Sequence, residues 1–277
     1  MSIAMTETRD QKIGPTAHYT AYAWHRLRMP YAEHFATPRG RALYWGFRGA
    51  AKWIALASAA TPLLVDVLAY RHRTIDAQVR ETKPTIVIEI GAGLSQRGVW
   101  AALDLGVARY VEIDLPHMTA AKRARLDALP AELRARLAGK LDVVSFDILD
   151  DGFGAWLSRE LRGAERAMVI AEGVLGYFDV AERARIALGV AEGLRAAKQG
   201  VFLCDLRDRT KTGAAGVGVP VLRGAVRLVT RGRGLREDFA SEEAITSFFA
   251  RAGLRASIAS SPTGDKPIPT RIWRCVP

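Results

Sequence analysis

The stretch Thr85–Gly98, TIVIEIGAGLSQRG, decides how this chain folds. Ile86, Val87, Ile88 and Ile90 form the nearly continuous apolar run of a buried parallel strand. Glu89 sits near its end, and the run breaks into Gly91-Ala92-Gly93. Residues with little or no side chain let the backbone turn sharply there and let a nucleotide-like ligand approach it closely.

Working outward, strand-like and helix-like segments alternate. Arg97–Leu105 reads as a helix, Arg109–Ile113 as a strand, Met118–Leu129 as a helix, Leu141–Phe146 as a strand and Gly154–Leu161 as a helix. The strand Ala167–Ala171, the helix Val180–Ala197 and the strand Val201–Cys204 continue the series. This spacing predicts an α/β fold with a doubly wound, mostly parallel sheet and crossover helices. A Gly- and Arg-rich segment interrupts it after Asp205, up to Glu237. A helix over Ser241–Ala252 and strands over Leu254–Ile258 and Thr270–Val276 close the chain, the two strands separated by the turn-rich Ser260–Pro269. Upstream, residues 1–15 read as a loose tail, Thr16–Ala36 as an aromatic-rich helix broken at Pro30, and Arg41–Arg80 as helices. The expected division is an N-terminal helical cap or lid, residues 1–80, and one compact ligand-binding unit, residues 81–277.

Apolar residues make up 49% of the 277 and charged residues 25%, so a sizeable core is expected. Cys204 and Cys275 cannot form a disulfide framework and show no zinc-type spacing. Both read as reduced and structural, in a cytoplasmic protein without a metal. The start, MSIAMTETRDQKIG, has no apolar signal region. Gly49–Tyr70 is the most apolar stretch, but Lys52, Pro62 and Asp66 interrupt it. It reads as a buried helix pair broken near Pro62, not as a membrane span. The net charge of +11 could mean nucleic acid. Much of the excess, however, is arginine scattered along segments such as Lys122–Arg136, and no basic stripe is interleaved with aromatics. Attraction of a small acidic substrate accounts for it at least as well.

Which ligand sits over the glycines follows from what surrounds them. A dinucleotide site requires G-x-G-x-x-G, and here Gln96 fills the third position. The second strand ends in Glu112-Ile113-Asp114, where an acceptor-only carboxylate can take the vicinal hydroxyls of a ribose. Asp147 ends the third strand and can accept from an adenine amino group while Ile148 packs on the ring; Glu172 ends the fourth. Each has an ordinary alternative. Asp147 can be a helix N-cap, Glu112 an ion pair with Arg109 or Lys122, and Tyr177 and Phe178 plain core. As a set, acids at successive strand ends converge on the crevice where such sheets bind ligands. An acidic, glycine-lined cleft favours a ligand with hydroxyls, an amine and a positive centre, and S-adenosylmethionine carries all three.

GAGLSQRG, YVEIDLPHMTAAKR, VVSFDILDD and AEGVLGYF together resemble the leucine carboxyl methyltransferase superfamily, over Arg71–Asp205. Its bacterial branch is usually described as O-methyltransferases of secondary metabolism. The resemblance implies a Rossmann-like class I methyltransferase fold with seven strands, helical additions before the first, and S-adenosyl-L-methionine as cofactor. Carried onto this chain, it puts Gly91 and Gly93 under the methionine part, with Glu89 and Ala92 beside them. Asp114 holds the ribose hydroxyls, with Glu112 as second choice; Asp147 and Ile148 contact the adenine; Glu172 binds the methionine amino end. Arg73, in RTID, matches the arginine that pairs with the methionine carboxylate. Ser95 departs from the family, which commonly has Asp after the Gly-Leu pair. Pro15–Trp24, PTAHYTAYAW, looks like a bacterial subgroup, not the protein-directed members.

In methyl transfer the protein chiefly supplies alignment and desolvation. A carboxylate acceptor needs no general base, whereas a phenol, alcohol or thiol gains from one. The candidate bases are His18, His25 and His117, with Tyr19, Tyr22 and Tyr177 as positioning groups; His18, Tyr22 and Tyr177 form the expected catalytic set. Substrate contacts are expected from His18, Tyr19, Tyr22, Trp24 and Tyr31, and from the basic segment Arg207–Glu237. Its Arg223, Arg227, Arg231, Arg233 and Arg236 would either clamp an acidic substrate or be solvated. The expectation is O-methylation of a small molecule, with no nucleic-acid or membrane partner. The rivals are carboxyl methylation of a protein C-terminus, a non-catalytic cofactor-binding protein, and a dinucleotide oxidoreductase, the last disfavoured by the missing glycine.

Overall fold

A computed structural model describes residues 14–55, 64–209, 238–262, 268 and 270–277, with backbone only for 49–55. The helices α1 (Gly14–Arg26), α2 (Pro38–Ala55) and α3 (Leu64–Thr82) precede the first strand, β1 (Ile86–Ile90). Then come α4 (Arg97–Asp104), β2 (Arg109–Asp114), α5 (Pro116–Asp127), α6 (Ala131–Leu137), β3 (Leu141–Ser145), α7 (Phe153–Leu161) and β4 (Arg166–Ala171). A 3-10 turn at Leu175–Tyr177 leads to α8 (Val180–Leu194) and β5 (Gln199–Leu206), and the chain closes with α9 (Glu242–Arg251), β6 (Arg255–Ile258) and β7 (Arg271–Val276).

The seven strands lie in the order β3-β2-β1-β4-β5-β7-β6. The first five are parallel; β7 runs antiparallel to both β5 and β6. The order reverses between β1 and β4, and the carboxyl ends of those strands open the crevice in which doubly wound sheets bind ligands. The expected α/β fold is therefore the one observed. The helix-like run Lys122–Arg136 is divided at Pro130 between α5 and α6.

The sheet is covered on both faces. On one, Ile88, Ile90 and Val169 pack against Phe153, Leu157, Ile186 and Phe249 of α7, α8 and α9. On the other, Val87, Tyr110, Met168 and Ile170 pack against Val67, Ile75 and Val79 of α3 and Trp100 of α4. Strand side chains alternate between faces, so Glu89, continuing from Val87, and Glu112 and Asp114, continuing from Tyr110, lean to the α3/α4 side; β4 aims Glu172 the same way. Four acids on one sheet face need cations, and α3, α4 and α5 supply Arg71, Arg97 and Lys122.

The expected helix pair around Pro62 maps onto α2 and α3; Pro62 itself lies outside the described residues. Among the described residues no helix is long and apolar enough to cross a membrane. Cys204 and Cys275 are free and buried on neighbouring strands.

Candidate active site

A cavity of about 520 Å3 opens at the carboxyl ends of the parallel strands. Its floor is the β1–α4 turn with the ends of β2, β3, β4 and β5; Thr16, Tyr19, Thr20 and Trp24 of α1 and Leu64, Val67, Leu68 and Arg71 of α3 close over it. Among the described residues the lining holds the acids Glu89, Asp114, Asp147, Glu172, Asp205 and Asp238 against Arg71, Arg183 and Arg207. The chain as a whole is +11, yet this cavity is lined mainly by acids. The expectation that the basic balance serves an acidic substrate does not extend to this part of the wall. Most arginines of the Arg207–Glu237 segment lie outside the described residues.

The β1–α4 turn is built by backbone geometry. Gly91 has φ +62, where a side chain is strained. A Cβ there would also meet Val174 Cγ2 at 2.7 Å, so the space is taken by the protein itself. The Gly93 N–H donates to Asp114 Oδ2 at 2.7 Å and the Leu115 N–H to Asp114 Oδ1 at 2.8 Å. Burial raises the Asp114 pKa, with these two donors opposing. Each of its oxygens keeps acceptor capacity for a hydroxyl. Asp147 also lines the cavity and accepts from the Leu149 N–H at 2.9 Å; Ile148 lies beside it.

Behind the turn sits a feature that the sequence reading missed. Arg97, with no exposed surface, donates through Nε to Asp76 at 2.8 Å, through Nη1 to Glu89 at 2.7 Å and through Nη2 to Glu172 at 2.5 Å. Burial opposes its charge, but Glu89, Glu172 and Asp76 outweigh that and hold it firmly protonated. Tyr110 Oη donates to the other Glu89 oxygen at 2.6 Å. Glu89 therefore lines the cavity with both oxygens already used. His72, also fully buried, lies 3.1 Å from Glu172 Oε2 through Nδ1, and Gln96 Nε2 lies 2.7 Å from His72 Nε2. Gln96, which occupies the third glycine position of a dinucleotide site, packs a polar network instead. Ser95 Oγ accepts from the Arg97 N–H at 3.2 Å and supports the start of α4. No local signal in the sequence marks Arg97, because two of its partners, Asp76 and Glu172, are distant along the chain.

Glu172 has one oxygen engaged in this way. Its Oε1 is buried without a hydrogen-bond partner, and Arg71 Nε, equally without one, stands 3.6 Å away. Arg71 Nη1 donates to Asp205 Oδ2 at 3.2 Å, and the Gly173 N–H donates to Asp205 Oδ1 at 2.5 Å. Burial pushes the Glu172 pKa up, but Arg97, His72 and Arg71 together hold it well below the usual carboxylate range. Glu172 Oε1 and Arg71 Nε face each other as an ion pair too long for a hydrogen bond, so one acceptor and one donor site remain unused, the chemistry that an ammonium and a carboxylate require.

Several expected residues stand elsewhere. Arg73 is exposed and does not line the cavity; Arg71, one half-turn earlier on α3, does. The arginine reading moves to Arg71 because the same helix face carries Val67 and Leu68 into the cavity. Glu112 is 1% exposed beneath α4 and also misses the lining. Lys122 Nζ pairs with it at 2.8 Å and also donates to the Ser95 carbonyl. A Cβ on Gly98 would meet Glu112 Oε1 at 2.5 Å, so this glycine lets α4 close over the pair. His18 is turned away, with Nδ1 3.0 Å from Thr37 Oγ1. Tyr22 packs on His25 and Tyr44 instead of lining the cavity. Tyr177 and Tyr19 do line it. Burial raises the pKa of both phenols, so they serve as neutral hydrogen-bonding groups.

The seven-stranded sheet in this order, with a crevice at the ends of β1, β2 and β4, is the architecture of the class I methyltransferase fold. Residues 17–191 match the family model described as leucine carboxyl methyltransferase, and the chain belongs to that family. The fold is similar to a protein from Nostoc punctiforme described as a candidate O-methyltransferase, with TM-score 0.51 at 16% identity over 76% of this chain and 57% of that one. It is also similar to the methyltransferase domain of bacterial CtHen1-C, with TM-score 0.52 at 12% identity over 76% and 98%. PigF, solved with S-adenosylhomocysteine, gives TM-score 0.50 at 16% identity over 77% and 57%. The chain thus spans little more than half the length of the Nostoc protein and of PigF. A search of curated proteins finds no significant match.

Proposed function

We propose that the protein O-methylates a small, largely apolar hydroxyl-bearing molecule, using S-adenosylmethionine held across the strand ends. The observation that carries the reading is the pair of orphaned polar atoms, Glu172 Oε1 and Arg71 Nε, facing one another in the cavity wall. Glu172 would accept from the amino group of the cofactor and Arg71 would hold its carboxylate. Asp114 would take the ribose hydroxyls, and Asp147 with Ile148 the adenine. The bound cofactor supplies an electrophilic methyl group on a sulfonium. Acids on the wall favour that positive centre over a neutral ligand. Arg97 contributes indirectly by keeping Glu172 ionised and fixed.

The rest of the lining supports the acceptor class. Tyr19, Leu64, Leu68, Tyr177 and Phe178 offer apolar and aromatic walls with two neutral phenols for orientation. A carboxylate acceptor, such as a protein C-terminus, would meet Asp205 and Asp238 as well as Arg71 and Arg207. Like charge there works against an anion. The N-terminal helices, through α1 and α3, supply the roof.

Calorimetric titration with S-adenosylhomocysteine, then mass-spectrometric screening of phenols, alcohols and carboxylates, tests the reading. Micromolar cofactor binding and methyl transfer to a hydroxyl are expected. No response to S-adenosylhomocysteine would refute the site assignment. Transfer confined to carboxylates, a C-terminal peptide among them, would refute the acceptor class.

A further inference from the structure

We infer that His117 is a nucleoside-recognition residue: its imidazole hydrogen-bonds a ribose hydroxyl of the cofactor and does not act as the general base. The inference rests on the cofactor reading above. His117 follows Asp114 by three residues, at the start of α5, and lines the cavity. Both of its ring nitrogens are buried and neither has a hydrogen-bond partner. A neutral imidazole carries one donor and one acceptor, and burial of both without partners is costly. His72, in contrast, has both nitrogens engaged by neighbouring side chains. His117 is thus a wall residue whose two ring nitrogens have no protein partner.

Its position says what they would meet. β2 and β4 flank β1, so at about 4.8 Å per strand their ends stand roughly 10 Å apart. Glu172, Arg71 and Asp205 gather at the β4/β5 side, where on the proposed reading the amino-acid end and the acceptor would lie. His117 and Asp114 gather at the β2 side, with Gly14 of α1 nearby: a Cβ on Gly14 would stand 4.0 Å from His117 Nε2. A base acting on an acceptor over β4 and β5 cannot reach from there, because proton transfer needs hydrogen-bond contact or one bridging water. A ribose whose hydroxyls are accepted by Asp114 presents its oxygens within the same turn of chain. Asp114 accepts only, so the imidazole adds the donor that the hydroxyl oxygens otherwise lack.

The test titrates wild type, His117→Ala and His117→Asn with S-adenosylhomocysteine, adenosine, 2′-deoxyadenosine and 3′-deoxyadenosine. His117→Ala should weaken S-adenosylhomocysteine and adenosine alike, by about tenfold. One of the two deoxynucleosides should bind wild type more weakly than adenosine, and that gap should narrow in His117→Ala, where the Asp114 contact alone remains. A purely structural role would leave the gap in place. His117→Asn, which keeps a donor and an acceptor, should recover part of the loss and guards against misfolding of the alanine variant. Unchanged adenosine and S-adenosylhomocysteine affinity in His117→Ala would overturn the inference. Failure of wild type to bind either nucleoside would instead overturn the cofactor reading itself.

Discussion

Glu112 and Glu172 are both buried glutamates at or just past the ends of parallel strands, both paired with a cation, and they behave in opposite ways. Glu112 has Lys122 as its one cation, and burial wins: its pKa is pushed up to about 7 although Lys122 opposes. Glu172 has Arg97, His72 and Arg71 around it, and they win over burial, so its pKa falls. One carboxylate is sealed beneath Gly98, and the other lies in the cavity wall with one oxygen that accepts no hydrogen bond. The number of positive partners decides which acid stays charged, and the reach of the strand decides which one a ligand meets.

Arg97 is where this comparison breaks most violently. Arg97→Met strands Asp76, Glu89 and Glu172 without their shared cation, and removing one member of a buried ionic cluster costs about 3–5 kcal/mol. Chemical denaturation should show a loss of that order; wild-type stability would contradict the network. Lys122→Met should cost somewhat less, because Glu112 can take up a proton near neutral pH. The double variant Glu112→Gln/Lys122→Met should recover to within about 1 kcal/mol of wild type, since a buried pair can often be replaced without loss. A double variant as unstable as the single one would refute the isolated-pair account.

Ligand affinity sharpens the contrast further. Glu172→Gln should weaken S-adenosylhomocysteine by about 10- to 100-fold, the scale of one charge-assisted contact at about 1.4 kcal/mol per decade. Glu112→Gln should change it less than twofold in the same calorimetric assay, and an equal loss in both would erase the distinction.

The pH dependence is the smallest effect, and its sign differs between the two acids. Glu172 has a lowered folded pKa, so its stabilisation is present above the ordinary value of 4.5 and is lost as pH falls below it. The stability margin of wild type over Glu172→Gln should shrink on the acid side. Glu112 has a raised one, so its contribution is fully present below 4.5 and is lost as pH climbs towards about 7. Wild type should therefore lose ground to Glu112→Gln across that interval and hold level above it. Urea titrations at pH 4, 5.5 and 7.5 would check both slopes, and parallel curves would contradict the assignment.

Much of the fold was legible in the residues. The apolar run Ile86–Ile90 and the alternation after it follow from periodicity, which a local reading captures, and Asp114, Asp147 and Glu172 line the cavity because each stands at or just past the end of a strand. Arg97 was not legible, since its three carboxylates come from α3, β1 and β4 and meet only in the folded chain. Choosing between Arg71 and Arg73 needed the rotation of α3, which places one on the cavity and the other in solvent. Glu112 and Asp114 share a sheet face, and only the closeness of α4 over Gly98 separates the sealed acid from the accessible one. His18 and Tyr22 carry suitable chemistry on the right helix, but α1 turns them towards α2.

The central claim is that Arg71 and Glu172 together grip the amino-acid end of S-adenosylmethionine. The most direct measurement is calorimetric titration of S-adenosylhomocysteine into Arg71→Ala and, side by side, Arg73→Ala. The account predicts a loss of about 100-fold for Arg71→Ala and less than twofold for Arg73→Ala. Wild-type affinity in Arg71→Ala, or a large loss confined to Arg73→Ala, would contradict it.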